Sequence, residues 1–443
     1  MPVRPSACPG LLRIVQAMDG GICRVKLDGG SITARQARAV ADVAQRYASG
    51  VIEATNRGNL QIRGVGPQHR ALIEPLLAVG LGPATAASDD VRNVMLSPSA
   101  GIDPQMHIDT WPLARQILAS LQSTPRFAEL SAKFAVQLDG GETLAMLEHP
   151  HDLWLSAFRR DGQTLLAFGL AGCPAHDPAL AAVPVEHGHE LVMAVLMQFL
   201  DLARPEQIRM RHLLEEVSAE SFVGQLAQRL SVALLPVAGW QRGAASASMH
   251  LGIWPQHANG QVYVGGAPPL GRLDAAMLAG LAELAERYGD GTLRFTAWQS
   301  VLLPNVAQAQ ASALMGELMV LGLICDAGSP LAHLVACTGS SACAKGLADT
   351  KQDARQLAAF LPKPMNIHLT GCRRSCAAAH VAPVTLLAVA PGHYDLYLRA
   401  PEQPGFGVLR ERNLTIEAGS IGLVVSTAIF FKRCNIGIKQ RLV

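Results

Sequence analysis

The sequence predicts an α+β protein of duplicated architecture, in which two small β-α-β halves alternate with two larger α+β segments. Three observations carry this. The stretch 32–65 recurs without gaps at 273–306. Each copy reads as an amphipathic helix ending near a Gly, followed by an alternating apolar strand. The chain also has material for several cores: 443 residues, 49% hydrophobic and 16% charged, against about 100–200 residues per domain.

In chain order, "GICRVKL" is a strand before the first helix, and "GQVYVGG" takes that place before the second. Within the repeat, Ala41, Ala44, Arg46, Tyr47, Gly50, Thr55 and Val65 fall on Ala282, Ala285, Arg287, Tyr288, Gly291, Thr296 and Val306. "VIEATNRGNLQIRGV" and "TLRFTAWQSVLLPNV" read as the strands that follow. A half with an exposed sheet edge is poorly stable alone, so the two halves are expected to pair into one sheet. The period exceeds that of any solenoid and marks a domain-scale duplication. The expected segments are 1–82 (first β-α-β half), 83–240 (first larger domain), 241–330 (second half), 331–395 (second larger domain) and 396–443, a tail of shifted composition. Within the tail, "IGLVVSTAIFF" (421–431) is too short to span a bilayer and reads as a buried strand or core segment. A pseudo-twofold of this kind places a ligand between the two larger segments.

The second larger segment holds "ACTGSSACAKG" and "LTGCRRSCAAA". Cys337, Cys343, Cys372 and Cys376 form C-x5-C, 28 intervening residues, then C-x3-C. Four thiolates, one per iron, are what a 4Fe–4S cubane takes. Structural zinc favours C-x2-4-C pairs, and two tight pairs set among Gly, Ser and Thr are unlike cysteines that merely fill a core. Cys23, Cys173, Cys325 and Cys434 suit that plainer role.

Basic residues outside helix faces form a second signal. Arg57 and Arg63 stand in copy one where copy two has Trp298 and Pro304; on a single strand they share one face. Arg92 and Asn93 precede an extended Pro/Gly segment, Lys133 opens an apolar strand, and Arg209 and Arg211 alternate before a helix. Cations converging from separate segments suit a polycarboxylate, which Arg binds bidentately. The segment 145–200, with "EHPHDLW" and "VEHGHE", reads as His-rich loops.

Several classes are excluded. A net charge of +2 leaves no nucleic-acid footprint. No signal peptide and no apolar run of about 20 residues is evident, so a cytoplasmic, membrane-free protein is expected. No G-x-G-x-x-G follows a strand and opens a helix, so electrons are expected from a separate NAD(P)H-using reductase.

These motifs resemble the sulfite/nitrite reductase superfamily, and within it most closely the precorrin-3B synthases of aerobic cobalamin biosynthesis, from about Cys8 to about Ala390. The resemblance implies two ferredoxin-like halves, two larger domains, and a cluster on Cys337, Cys343, Cys372 and Cys376. "TNRGNLQIRG" looks like the tetrapyrrole-contacting strand, which implies Arg57, Asn59 and Arg63 as contacts. "RNV" implies an anion-binding Arg92. "AKFA" resembles an element with two substrate lysines; Lys133 keeps the first and Ala135 replaces the second. "CPGLLRIVQAMDGGICRVKLDGG" and "IHLTGC" resemble the precorrin-3B synthases. That likeness implies O2-dependent hydroxylation of precorrin-3A at C20 with γ-lactone formation, and a mononuclear non-haem iron of unassigned ligands, for which His368 and His380 are candidates. The alternatives are a sirohaem sulfite or nitrite reductase and, in another class, a non-catalytic electron carrier or tetrapyrrole-binding module. The chain departs from the pattern in Arg373 and Arg374 between the last cysteines and in the tail.

Overall fold

The computed structural model describes residues 8–400, 403 and 405–416. The segment 421–431 and the rest of the expected tail beyond 416 lie outside the described residues. The chain divides into two compact units, one built on 20–266 and 272–325, the other on 267–271 and the chain from 326 onward.

In the first unit, one half comprises β1 (Val15–Ala17), β2 (Gly20–Val25), β3 (Ser31–Thr33), α1 (Ala34–Tyr47), β4 (Val51–Ala54), β5 (Leu60–Val65) and α2 (His69–Ala78). The first larger domain follows with β6 (Val94–Leu96), α3 (Trp111–Ser123), β7 (Val136–Asp139), β8 (His151–Arg160), β9 (Gln163–Gly172), β10 (Ala181–Pro184), α4 (Gly188–Leu202), α5 (Met210–Leu213) and α6 (Ala219–Leu226). The other half comprises β11 (Gly252–Pro255), β12 (Gln261–Gly266), β13 (Arg272–Asp274), α7 (Ala275–Tyr288), β14 (Thr292–Phe295), β15 (Val301–Ala307) and α8 (Ala311–Val320).

The repeated helices begin at matching caps. Thr33 Oγ1 accepts from Gln36 N at 3.2 Å, and Gln36 Oε1 accepts from Thr33 N at 3.0 Å, a reciprocal capping box. In copy two, Asp274 accepts from Met277 N at 2.7 Å. The residues shared by the copies explain themselves here: α1 and α7 pack together, and Ala41, Ala44, Ala282 and Ala285 are buried in their common core. Small side chains let the two helices approach closely.

Two expectations are corrected. The stretch 51–65 is not one strand but a hairpin, β4 and β5. Its turn is closed by Thr55 N–H to Asn59 O (2.9 Å) and Gly58 N–H to Thr55 O (3.1 Å), with Gly58 at φ +66°. Copy two turns in the same way at Thr296–Ser300. Nor do the halves share one sheet. They form two five-stranded sheets, ordered β1-β2-β5-β4-β13 and β11-β12-β15-β14-β3. Each sheet therefore ends on a strand lent by the other half, with Ile52 opposite Leu273 and Leu293 opposite Ile32.

In the larger domain, β6, β7 and β8 run parallel, β9 and β10 return antiparallel, and the order is β10-β9-β8-β7-β6. The segment 145–200, expected as His-rich loops, instead contains β8, β9, β10 and most of α4, and the β8 residues from His151 to Phe158 are all buried. The apolar run "DLWLSAF" of β8 outweighs the preceding histidines and proline.

The second unit contains β16 (Leu334–Ala336), α9 (Thr350–Phe360), β17 (Ile367–Thr370), β18 (Val384–Ala390), β19 (His393–Leu398) and β20 (Val408–Thr415). Here β16, β17 and β18 are parallel and β19 and β20 antiparallel, in the order β16-β17-β18-β19-β20. Strand for strand this repeats the sheet of the first larger domain, so the duplication extends to the larger segments. The expected tail boundary at 396 falls inside β19, and β20 pairs with β19, so the sheet runs on to Thr415 and Ile416 is buried.

Candidate functional site

The four expected cluster cysteines gather on two loops, one after β16 and one after β17. Cys337 follows β16 directly, and Cys372 lies two residues beyond β17. The first loop folds back on itself backbone to backbone, and the second hydrogen-bonds to it. A Cβ on Gly339 (φ +73°) would lie 2.6 Å from Ala348 O, and one on Gly346 would lie 2.6 Å from Gly339 C. Only glycine permits this approach. Leu347 N–H donates to Gly371 O at 3.0 Å and Gly371 N–H to Cys337 Sγ at 3.2 Å. Thr350 Oγ1 donates to Cys337 O at 2.7 Å. An N–H aimed at a thiolate raises the potential of a cluster bound there.

The Cys376 thiol is pushed up by burial and then by its neighbours Cys372, Cys337 and Cys343, while Arg374 opposes the shift. Four sulfurs close enough to repel one another fit a cationic iron core. Among the described residues no three His, Cys, Asp or Glu side chains close on a single-ion position. Arg373 and Arg374 are exposed. His368 is buried on β17, held down at about 4 by burial and then by His380, and hence neutral. No mononuclear iron site is formed by these histidines among the described residues.

In the first unit, two of the expected cations lie where parallel strands begin and a third lies on a hairpin turn. Arg92 precedes β6, Lys133 precedes β7 and Arg57 occupies the β4–β5 turn, half-buried. Lys133 is exposed. Arg92 is buried, with Nη2 donating to Lys26 O (3.0 Å) and Asp28 Oδ1 (3.1 Å) and Nε left without a partner. The shared-face argument for Arg57 and Arg63 fails because a turn separates them. Arg63 is buried beside Glu53 (3.6 Å), which Arg272 also reaches at 2.8 Å. Asn59 Oδ1 accepts from Leu27 N at 2.9 Å and so ties the turn to β2.

Ala135 is buried and gives its N–H to Asp152 Oδ2 at 2.9 Å. Asp152 also receives Met210 N (2.8 Å) and Arg209 Nε (2.8 and 2.9 Å). The motif reading passed over Asp152 and His151. The one available signal was a charged residue at the mouth of an apolar strand.

At the opposite end of the same strands sits a buried carboxyl group of another kind. Ser97 follows β6 as Cys337 follows β16, and Asp139 ends β7 as Thr370 ends β17. Asp139 is paired with Arg242 at 2.7 Å. Glu142 receives Gly140 N at 2.7 Å, and its pKa is raised well above the carboxylate range by burial and then by Asp139. Where one copy gathers cysteines, the other holds hydrogen-bonded carboxyl groups.

Comparisons with known proteins agree with this layout. A family model described as the nitrite and sulphite reductase 4Fe-4S domain matches residues 87–234. A model of the nitrite/sulfite reductase ferredoxin-like half domain matches twice, at 14–79 and 254–321. The cysteines lie outside both, in the copy that shares its strand order with 87–234. The chloroplastic ferredoxin–nitrite reductase of Zea mays is 34% identical over 394 residues, 82% of this chain and 68% of the relative. The ferredoxin–nitrite reductase of Synechococcus elongatus is 31% identical, covering 83% of this chain and 76% of its own. A precorrin-3B synthase of a Sinorhizobium species is 26% identical over 89% of this chain and 83% of its own. The chain spans about two thirds of the length of the plant relatives. The Mycobacterium tuberculosis NirA protein shares the fold, with a TM-score of 0.76 at 21% identity, covering 93% of this chain and 80% of its own.

Proposed function

This chain belongs to the nitrite and sulphite reductase family, and from that premise we propose that it hydroxylates a polycarboxylate tetrapyrrole: precorrin-3A at C20, with O2, forming the γ-lactone of precorrin-3B. The observation that carries this reading is Ala135. Where the resembling reductases place a second substrate cation, this chain has a buried methyl group whose backbone N–H is given to Asp152. A site with Lys133 alone at this point is poorly furnished for a small doubly charged oxyanion, and better suited to a large ligand held through its rim. The precorrin-3B synthase of Sinorhizobium also matches over more of both chains than the plant nitrite reductases do.

Arg57, Arg92 and Lys133 bind carboxylates of the macrocycle, and Asn59 and Arg63 keep the Arg57 turn in place. Fixing the ring so that one meso carbon faces O2 is catalysis by positioning. The cluster, when bound to Cys337, Cys343, Cys372 and Cys376, supplies electrons one at a time, which triplet O2 requires. A separate protein, an NAD(P)H-using reductase or a ferredoxin-type carrier, delivers them.

A second reading, sirohaem-dependent reduction of nitrite, is favoured by the higher identity to the ferredoxin–nitrite reductases. One experiment separates the two. Protein purified anaerobically is characterised by its spectrum and iron content, then mixed with precorrin-3A, O2 and a donor. A haem-free iron–sulfur spectrum and a product heavier by one oxygen are expected. A sharp Soret band with dye-driven nitrite reduction would overturn the proposal, and ligand binding without turnover would make the chain a tetrapyrrole-binding module.

A further inference from the structure

The cysteine loops lie in a cationic stretch of a chain that is otherwise close to balance. The whole protein has 37 Lys and Arg and 35 Asp and Glu. Between Asp326 and Asp395, six cations (Lys345, Lys351, Arg355, Lys363, Arg373 and Arg374) stand against two acids, Asp349 and Asp353, an excess of 6 − 2 = 4. Both acids are engaged. Asp349 caps α9 by accepting from Gln352 N at 3.3 Å, and Asp353 accepts from the Tyr394 hydroxyl.

The positive charge reaches the sulfurs themselves. Arg373 and Arg374 are two of the three residues between Cys372 and Cys376, so each lies within two residues of a ligand. Helix α9 starts beside Cys337, with Thr350 Oγ1 3.5 Å from its Sγ, which brings the positive end of the helix dipole to that ligand. Lys351, the next residue, is buried in the first turn, where salt screens its charge little. Gly371 N–H adds its hydrogen bond to the same sulfur at 3.2 Å.

A cubane held by four thiolates is an anion, and an added electron makes it more negative. Cations, a helix N-terminus and an N–H donor therefore stabilise the reduced form more than the oxidised one, and the potential rises. We propose that this cationic frame, with Arg373 and Arg374 as its tuning residues, poises the cluster high enough to be filled by a mild one-electron donor of the reduced-flavin class. One electron passes from donor to cluster, with no bond or proton transferred. The proposal rests on the reading above of a cluster on these four cysteines that is fed by a separate protein.

The test uses the cluster-loaded full chain, with iron content measured for every variant. Potentiometric titration followed by the visible spectrum and by EPR of the reduced cluster gives the midpoint. The midpoint does not depend on the fraction of protein loaded. The double variant Arg373→Gln/Arg374→Gln is expected to have a reduced-to-oxidised ratio about tenfold lower at a fixed potential, a fall of about 59 mV for one electron. Arg373→Lys/Arg374→Lys keeps the charge and should stay near the wild type. Salt should narrow the gap between the wild type and the Gln variant, because both arginines are exposed. Reduced FMN is the donor probe. It should reduce the wild-type cluster and leave most of the Gln variant oxidised, while dithionite reduces both. A loaded Gln variant with an unchanged midpoint, a Lys variant that falls as far, or a wild-type cluster that reduced FMN leaves oxidised overturns the proposal and leaves the cluster standing. Protein that takes up no iron overturns the cluster assignment and the proposal with it.

Discussion

Glu142 shows how strongly this fold opposes one ionisation. Its carboxyl is fully buried and already faces Asp139, so burial raises its pKa far above the ordinary 4.5. A group raised in the folded state contributes stability that is whole below the unfolded pKa and is lost as pH climbs toward the folded one, at about 1.4 kcal/mol per unit. Glu142→Gln is therefore expected to match the wild type near pH 4 and to unfold at higher temperature than the wild type at pH 7–8. Thermal melts of both proteins across that range decide it; parallel curves would show that Glu142 ionises freely. Cys372→Ser is expected to lose cluster iron and visible absorption, and unchanged iron content would refute the ligand assignment. Single residues differed in how legible they were. The cysteines announce themselves because cluster chemistry depends on side-chain type and spacing alone. The partners of Arg63 and Asn59 do not, because Glu53 faces Arg63 only through the β4–β5 hairpin and Leu27 reaches Asn59 from just beyond β2.

The elements were mostly legible where one physical signal dominated. Helices α1 and α7 follow from apolar periodicity between a cap and a Gly, and both begin at equivalent residues. The β4–β5 hairpin is hidden because the alternation of Ile52 and Ala54 resumes in phase at Leu60 and Ile62, so two strands read as one, although "TNRGN" carries the polar and glycine residues of a turn. The loops that hold the cysteines are tightly constrained. At Gly339 a side chain meets both a left-handed φ and a carbonyl 2.6 Å away. Gly339→Ala is expected to destabilise this unit by about 1–3 kcal/mol and to lower its iron occupancy. Denaturant melts with iron analysis test this, and full iron with an unchanged midpoint would show that the loop can open at Gly339 without consequence.

At the scale of the whole molecule, the duplication was visible in the sequence but the exchange of edge strands was not. A three-residue strand such as β3 or β13 carries too little pattern to reveal which half it joins. The exchange makes each half incomplete without the other. A fragment of residues 1–245 retains β4 without β13 and is expected to aggregate, while co-expression with 246–443 should yield a soluble complex on size exclusion. A monodisperse, cooperatively melting 1–245 would contradict this. The same exchange also sets a schedule for biosynthesis. β4 ends at Ala54 and its cover β13 ends at Asp274, so 274 − 54 = 220 residues must be translated before that edge is closed. At roughly 5–20 residues per second this is about 10–45 s of exposure on the ribosome. Yield should therefore depend on translation speed and on chaperones that shield nascent strand edges.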